Sequence, residues 1–237
     1  MNRTIYDLIG LSAGVMFILA LKGLSHPRTA RRGNLLGALG ATIATIAVFF
    51  YADKEGSLPL NNLGWILGAI AFGVVVGVPA ARKVQMTAMP QLVALFNGVG
   101  GGAAALVAIV EYLKLGDTAT TAEVVATVFT VLVGCTSFSG SIVTFLKLQE
   151  LMTTRPVIFP GGRFVIAATL GGTIASAIWV INALGTTPLL VLAGLSLLFG
   201  VLFVLPVGGA DVPIVISLLN AFTGLTVAAG GYVLDAT

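Results

Sequence analysis

Long stretches without a charged side chain constrain the fold of this sequence more than any other feature. The longest separates Arg163 from Asp211 and contains 47 consecutive uncharged residues. Of the 237 residues, 57% are hydrophobic and only 9% are charged, whereas a soluble domain carries about 25% charged residues. Such a chain lacks the polar surface that a soluble enzyme needs. The sequence therefore predicts an all-α, polytopic transmembrane helix bundle.

Mainly apolar segments of about 20 residues predict eight spanning helices, and the first carries Asp7 and Lys22 near its ends. Gly185-Thr186-Thr187-Pro188 is a turn signal that divides the longest stretch into two helices, and Pro90 is placed like a first-turn proline. Because the connections are short and no soluble domain or repeat is evident, we interpret residues 1–237 as a single transmembrane domain. The predicted helices are 5–24, 34–52, 58–78, 89–110, 124–146, 164–184, 189–206 and 212–234.

Basic residues predict the orientation of this bundle. Eight alternating spans place nine Lys and Arg residues on one side of the membrane and three on the other, namely Arg3, Lys54 and Lys114. Cytoplasmic loops carry the excess of basic residues, so the side with nine is predicted to be cytoplasmic and both termini to be outside. No basic block is long enough to bind nucleic acid, so no nucleic-acid partner is expected.

Glycine spacing predicts close helix packing rather than nucleotide binding. Pairs four residues apart, such as Gly73 and Gly77, allow helix backbones to approach closely in lipid. Gly98-Val99-Gly100-Gly101-Gly102-Ala103 fits a dinucleotide-binding fingerprint, but that motif requires a preceding strand, and here it lies inside an uncharged stretch. Cys135 is the only cysteine, so paired metal-ligand spacings are excluded. We expect neither a cofactor-binding residue nor a metal ligand on this chain.

Polar residues form stripes on three predicted helices. On helix 5, hydroxyl residues and one glycine recur at intervals of three and four, which places them on one face. Helices 4 and 8 carry similar stripes of small and polar residues. The stripes are Thr127, Thr130, Gly134, Ser137, Ser141 and Thr144 on helix 5; Asn97, Gly101, Ala104 and Ala108 on helix 4; and Pro213, Ser217, Asn220, Gly224, Ala228 and Gly231 on helix 8.

The depths of three of these residues predict a polar cluster. At a rise of about 1.5 Å per residue, Asn97, Ser141 and Asn220 each lie roughly 9–13 Å from the predicted cytoplasmic end of their helix. We therefore expect them to meet in the inner half of the bilayer. Two interpretations stay open at this point: interhelical hydrogen bonding, which contributes about 0.6 kcal/mol per bond, or a hydrated ion path.

Titratable side chains are absent from the middle of every predicted span. Asn, Ser and Thr order water and pass hydrogen bonds, but they do not hold a proton near pH 7. A proton path here needs a titrating group from a partner or from one end of the bundle. Asp211 is the candidate on this chain, although an acid in a first helical turn is equally explained as a favourable dipole partner. His26 is interpreted as a loop residue without a role.

Several motifs resemble, in order and spacing over nearly the whole chain, the membrane domain of the proton-translocating NAD(P) transhydrogenase beta subunit. The block that contains Asp211, Pro213 and Asn220 is the most specific, because it is no general membrane pattern. The motifs are Arg31-Arg32-Gly33-Asn34, Asn62-Leu63-Gly64-Trp65-Ile66-Leu67, Met89-Pro90-Gln91-Leu92-Val93-Ala94, Asn97-Gly98, Phe138-Ser139-Gly140-Ser141, Gly209-Ala210-Asp211-Val212-Pro213 and Leu219-Asn220.

The resemblance implies an enzyme complex that transfers hydride from NADH to NADP⁺ and couples this transfer to proton translocation. NAD(H) and NADP(H) are expected on soluble domains, so this chain alone is expected to catalyse no hydride transfer. The implied partners are the alpha subunit, with its membrane helices and NAD-binding domain, a second copy of the complex, and the lipid of a bacterial inner membrane. The family continues with a ninth helix and an NADP(H) domain, so a chain that ends at Thr237 is expected to be truncated.

The resemblance also implies roles for particular residues. Asn97 stands where some family members have a histidine implicated in proton transfer, so the titrating group is expected on a membrane helix of the alpha subunit. Ser141, Asn220 and Asp211 match positions linked to the channel or to coupling. Together with the stripes, the predicted proton path comprises Asn97, Ser137, Ser141, Thr144, Ser217 and Asn220, and Asp211 and Arg163 form the predicted coupling surface with loops 79–88 and 147–163.

A secondary transporter or ion channel subunit is the alternative function. Broken helices at the midplane or an intramembrane charge would favour it, and Gly100-Gly101-Gly102 is a run at which helix 4 is able to unwind. An inert membrane anchor is a third class, which the polar stripes disfavour.

Overall fold

The computed structural model describes residues 3–50 and 62–236, and these residues are mostly helical, with short non-helical connections and without a strand. Within them, eight helices are long and apolar enough to cross a membrane, which confirms the predicted fold class and the number of spans. In chain order they are α1 (Arg3–Leu24), α2 (Pro27–Phe50), α3 (Leu63–Lys83), α4 (Met89–Leu115), α5 (Thr121–Leu148), α6 (Gly162–Ala183), α7 (Thr186–Val204) and α8 (Val212–Ala236).

Several helices extend beyond the uncharged stretches from which they were predicted. α2 begins at Pro27 rather than at residue 34, because proline suits a first helical turn and the basic residues Arg28, Arg31 and Arg32 continue the helix. α3 likewise continues through Pro79 to Lys83. A helix thus does not have to end where the apolar stretch does. Predicted helical residues 51–52 and 58–61, and the charged residues Asp53 to Glu55, lie outside the described residues.

The start of α5 is determined by a capping box. Glu123 accepts a hydrogen bond at its Oε2 from the Thr120 backbone N–H (2.7 Å), and the Glu123 N–H donates to Thr120 Oγ1 (3.3 Å). This pair satisfies two backbone donors at the helix end, so α5 begins at Thr121 instead of the predicted 124.

α4 is a continuous helix. Pro90 lies in its first turn, as predicted, and Gly116 ends it with a left-handed φ of 52°. The run Gly100-Gly101-Gly102 is helical, so α4 is not unwound there.

The chain divides into two compact units, Met1–Pro79 and Ala80–Thr237. In the first, α1 and α2 form a helical hairpin in which a Cβ on Gly23 would lie 2.8 Å from Gly33 Cα, so this backbone contact requires glycine. α3 has no buried residue in the described part of the chain.

α5 is the central helix of the second unit and packs against α4, α6, α7 and α8. All six members of its predicted polar stripe are buried. One apolar cluster joins α5 to α6 and α7 through Val131, Val180 and Leu189, and another joins it to α7 and α8 through Val143, Val204 and Leu219. The polar face of α5 therefore lies between apolar contacts inside the unit.

Two glycines permit the closest helix crossings of the second unit. Where α4 crosses α5, a Cβ on Gly134 would lie 2.7 Å from the Gly101 carbonyl oxygen. Where α7 crosses α5, a Cβ on Gly200 would collide with Ser139 Oγ and the Thr136 carbonyl oxygen. These approaches support the packing interpretation for Gly101, Gly134 and Gly200. A Cβ on Gly73 or Gly77 of α3 would meet nothing within 4 Å among the described residues, so that pair makes no such contact here.

Candidate functional site

Four polar side chains from three helices form a hydrogen-bonded group, the Asn97 cluster, which comprises Asn97 of α4, Ser137 and Ser141 of α5, and Thr223 of α8. Asn97 Nδ2 donates to Ser141 Oγ (2.9 Å) and to Ser137 Oγ (3.3 Å). Ser137 Oγ in turn lies 2.5 Å from Thr223 Oγ1. Asn97, Ser137 and Ser141 are 7%, 0% and 1% exposed, respectively. The structure thus brings together three residues of the predicted proton path.

Glycines bring α4 close enough to α5 for these bonds to form. A Cβ on Gly98 would lie 3.1 Å from Ser141 Cβ, and a Cβ on Gly101 would lie 3.2 Å from Ser137 Cβ. The close approach of Gly101 to Gly134 also brings α4 against α5 beside the cluster, on the side nearer the start of α5.

The hydrogen bonds of the Ser137 hydroxyl account for the orientation of the Asn97 amide. Ser137 has one hydroxyl proton, and its neighbours on α8 are the Leu219 carbonyl oxygen (3.1 Å) and Thr223 Oγ1. Thr223 Oγ1 also lies 3.0 Å from that carbonyl oxygen. Of the two hydroxyl protons, one is therefore donated to the Leu219 carbonyl oxygen and the other forms the bond between Ser137 and Thr223. Ser137 is then free to accept from Asn97, and the amide N–H₂ group faces α5.

This orientation leaves the Asn97 carbonyl oxygen as a free acceptor. Asn97 Oδ1 is buried and has no hydrogen-bond partner among the described residues. A buried polar atom without a partner costs about 1–3 kcal/mol, so this oxygen is suited to a donor from water or from another subunit. The cluster is able to receive a hydrogen bond at Asn97 and to continue it through Ser137 towards α8.

The structure does not bring Asn220 or Ser217 to this cluster. Both are exposed, and so are the other members of the helix 8 stripe, Pro213, Gly224, Ala228 and Gly231. The inward face of α8 is offset by one residue, about 100° around the axis, and carries Val212, Leu219, Thr223 and Thr226. The expected contribution of helix 8 is therefore made by Thr223 instead of Asn220.

The remaining hydroxyls of α5 do not extend the interhelical network. Thr144 Oγ1 donates to the Gly140 carbonyl oxygen (2.8 Å) and Thr130 Oγ1 to the Ala126 carbonyl oxygen (2.7 Å), both within their own helix. Thr127 Oγ1 is buried without a hydrogen-bond partner in the described part of the chain. Thr144, although predicted for the path, is thus a buried neighbour rather than a bonded member of the cluster.

The two predicted coupling residues lie at the end of the second unit where α6 and α8 begin. Arg163 is exposed in the first turn of α6 and lines a groove with residues 157–166 and Pro206. Asp211 is exposed immediately before α8. The α5–α6 and α7–α8 connections meet here, since the Gly209 N–H donates to the Thr154 carbonyl oxygen (2.9 Å) and the Val157 N–H to the Leu205 carbonyl oxygen (3.1 Å).

Sequence reasoning missed two residues at this site. Thr223 was passed over because Asn220 and the glycines gave the more polar and regular stripe; the signal for it was the spacing of Thr223 and Thr226 with Leu219. Lys147 falls in the predicted loop 147–163, yet it lies in the last turn of α5 and is fully buried, and its Nζ donates to the carbonyl oxygens of Leu205 (2.5 Å), Val207 (2.7 Å) and Val204 (3.3 Å).

Comparison with known proteins identifies the family. The family model described as NAD(P) transhydrogenase beta subunit matches residues 6–237. The chain is 39% identical over 229 residues to NAD(P) transhydrogenase subunit beta of Rhodospirillum rubrum, and equally to the same subunit from a designated strain of that organism. Each alignment covers 94% of this chain and 48% of the relative, so the chain spans about half the length of the curated relatives it matches. The chain belongs to the NAD(P) transhydrogenase beta subunit family.

Proposed function

We propose that this chain is the membrane proton-conducting domain of a proton-translocating NAD(P) transhydrogenase. In this proposal, hydride passes from NADH to NADP⁺ in soluble domains, and the helix bundle couples that transfer to proton translocation. The observation that carries the proposal is the Asn97 cluster: a buried network across three helices, with a free amide acceptor, in a chain of the beta subunit family.

The chemistry of the cluster defines its part in conduction. Asn97, Ser137, Ser141 and Thr223 each donate or accept hydrogen bonds, but none binds a proton near pH 7. They order water and orient a donor at Asn97 Oδ1, while the group that takes up and releases the proton is supplied by the alpha subunit. Nucleotide redox state in the soluble domains biases which side of the cluster is open, an alternating-access scheme in which two conformations differ in affinity for the proton.

The outward stripe of α8 supports a membrane partner for this unit. Asn220 and Ser217 are exposed on this chain, and polar side chains in a spanning helix preferably face protein or a water-filled cavity rather than lipid. Gly224, Ala228 and Gly231 on the same stripe allow a second helix to approach closely. We assign this surface to membrane helices of the alpha subunit, which places Asn220 and Ser217 on the same proton path from the partner side.

The remaining assembly follows from the same proposal. The complex lies in a bacterial inner membrane with both termini of this segment outside, and two copies form the homodimer. NAD(H) binds the alpha subunit and NADP(H) a soluble domain of the beta subunit. That soluble domain docks on the cytoplasmic face beside Asp211, Arg163 and loops 79–88 and 147–163.

The transporter or channel alternative finds less support. Secondary transporters often build their substrate sites from discontinuous helices at the midplane. α4 is continuous through Gly100-Gly101-Gly102, the run that sequence reasoning singled out as able to unwind.

Substitution of Asn97 in the complete complex tests the proposal. Asn97→Ala removes the free acceptor, so proton uptake by inside-out vesicles is expected to fall per hydride transferred, while hydride transfer between the soluble domains continues. Asn182→Ala is the matched control, because Asn182 is exposed on α6 and donates to the Ile178 carbonyl oxygen of its own helix. Equal loss of both activities, or an unchanged ratio, would contradict a role in the proton path.

A further inference from the structure

Lys147 is a buried cation that the proposed proton path does not use. It lies at the end of α5, is 0% exposed, and directs its ammonium at three carbonyl oxygens of the segment Val204–Val207. An ammonium has three N–H donors, and each has an acceptor here. No carboxylate of the described residues lies within salt-bridge distance of Lys147. The cation therefore interacts with the end of α7, where the helix dipole is negative, instead of with an acid.

The carbonyls that Lys147 holds belong to a paired set of loops. Leu205 accepts from Lys147 and also from the Val157 N–H (3.1 Å), so a single carbonyl joins α5, the α5–α6 connection and the end of α7. The Gly209–Thr154 bond adds a second link between the two connections. Glu150, with a left-handed φ of 57°, turns the chain back after α5 towards this pairing. Lys147 thus lies next to the start of the α5–α6 connection and contacts the start of the α7–α8 connection.

A continuous series of contacts connects Lys147 to the Asn97 cluster. Val204, whose carbonyl accepts from Lys147, packs with Val143 and Leu219 in one apolar cluster. The Leu219 carbonyl oxygen accepts from Ser137, which accepts from Asn97. Leu219 is 0% exposed, and close-packed protein interiors transmit strain. A shift of the α7–α8 connection relative to α5 is therefore expected to move the α8 side of the cluster.

We propose, resting on the function proposed above, that Lys147 is a positioning residue that couples the α5–α6 and α7–α8 connections to the Asn97 cluster. The soluble NADP(H) domain docks on these two connections. Lys147 attaches them to the end of α5, the helix that carries Ser137 and Ser141. Its contacts suit a fixed cation rather than a proton carrier, because backbone carbonyls accept hydrogen bonds and return no proton. Lys147 acts through Val204 and Leu219 and does not touch the conducted proton.

The first arm of the test is Lys147→Met in the complete complex, which keeps the length of the side chain and removes the three donors. Proton uptake by inside-out vesicles is expected to fall at least about threefold per hydride transferred, within the range that residues along a coupling network modulate. Lys114→Met is the control, since Lys114 is exposed near the end of α4 and pairs, among the described residues, with Glu111 alone. Lys147→Gln, which keeps one amide donor group, is expected to give an intermediate ratio.

The second arm restores the loop pairing without Lys147. A Cβ on Gly209 would lie 3.5 Å from Thr154 Cβ, within the range that a disulfide spans. Thr154→Cys/Gly209→Cys combined with Lys147→Met is therefore expected to recover coupling when oxidised and to lose it again when reduced. Thiol labelling or peptide mass spectrometry measures how much disulfide has formed. A role of Lys147 in folding alone predicts no such reversible rescue.

The outcomes separate the two proposals. A wild-type complex that transfers hydride without nucleotide-dependent proton uptake would overturn the proposed function. If the wild-type complex pumps protons, an unchanged proton-to-hydride ratio in both Lys147→Met and Lys147→Gln would overturn the positioning role alone. A reduced ratio that the formed disulfide does not restore would also overturn it. If Lys147→Met does not accumulate, Lys147→Gln with the same cysteine pair carries both arms.

Discussion

Single residues in this protein serve packing and chemistry at once, and Ser137 is the clearest example. Its hydroxyl accepts from Asn97, contacts Thr223 and reaches the Leu219 carbonyl oxygen, so it joins three helices with one atom. Ser139, two residues later, is equally buried, but its hydroxyl bonds to the Cys135 carbonyl oxygen of its own helix (3.1 Å). The Ser137 hydroxyl therefore bonds to other helices, whereas the Ser139 hydroxyl bonds within its own helix.

This difference predicts unequal effects of the two serine-to-alanine substitutions. Ser137→Ala removes an acceptor of the Asn97 amide, so we expect a loss of about 1–3 kcal/mol in stability and a lower proton-to-hydride ratio. Ser139→Ala, the control, is expected to change the ratio little. Thermal unfolding of the purified complex and vesicle proton uptake measure the two quantities. A larger loss of coupling in Ser139→Ala would argue against the cluster as the site.

At the scale of the element, the close crossings of α5 depend on where glycines lie on the facing helices. α7 shows this within one helix, because a Cβ on Gly200 would meet Ser139 and Thr136 of α5, whereas a Cβ on Gly194 has nothing within 4 Å. Both glycines lie in the same apolar helix, so hydropathy does not distinguish them. The crossing is therefore a property of the facing surfaces, not of glycine content.

Alanine substitution at these two glycines tests the crossing. Gly200→Ala forces α7 away from α5 and is expected to destabilise the complex by about 1–3 kcal/mol, the usual cost of overpacking. Gly194→Ala is expected to be neutral or stabilising by up to about 1 kcal/mol, because alanine favours the helix. Denaturation monitored by circular dichroism in detergent compares the two. Equal stabilities would show that the helices are not in contact at Gly200.

On the scale of the whole molecule, the exposed stripe of α8 is the surface that we propose as the interface with a membrane partner. α8 presents Ser217, Asn220, Gly224 and Gly231 outward, while its other face packs in the bundle. The arrangement of small and polar residues fits a membrane helix of another subunit better than it fits lipid. The proposed titrating group of the alpha subunit would enter along this stripe.

A bulky residue on the stripe is expected to weaken assembly. Gly224→Leu fills the space that a facing helix would occupy, so we expect the alpha subunit to co-purify in reduced amount with a tagged beta subunit. Leu225→Phe is the control, because Leu225 is 56% exposed on the same helix and lies about 100° around it from Gly224. The assay is the alpha-to-beta ratio after affinity purification in mild detergent. Unchanged co-purification of Gly224→Leu would place the partner elsewhere.

Much of this architecture was predictable because hydropathy and charge act locally. Apolar runs long enough to cross a bilayer indicated eight helices, and the regular hydroxyl spacing of α5 indicated the face that is in fact buried. The meeting of Asn97 and Ser141 was predictable for the same reason, since helix rise converts sequence position into depth. Helix ends were less predictable, because Thr120 caps α5 and Pro27 starts α2 irrespective of hydropathy.

Tertiary structure alone decided which side of α8 faces the bundle and what Lys147 does. A helix in lipid is apolar on both its packed and its outward faces, so its rotation about its own axis is only weakly encoded in composition, and Thr223 rather than Asn220 reached the cluster. A lysine at the end of an apolar run has the same sequence signature whether it projects into water or is buried. Only the end of α7, which brings the carbonyl oxygens of Val204, Leu205 and Val207 to one point, makes the buried position favourable for Lys147.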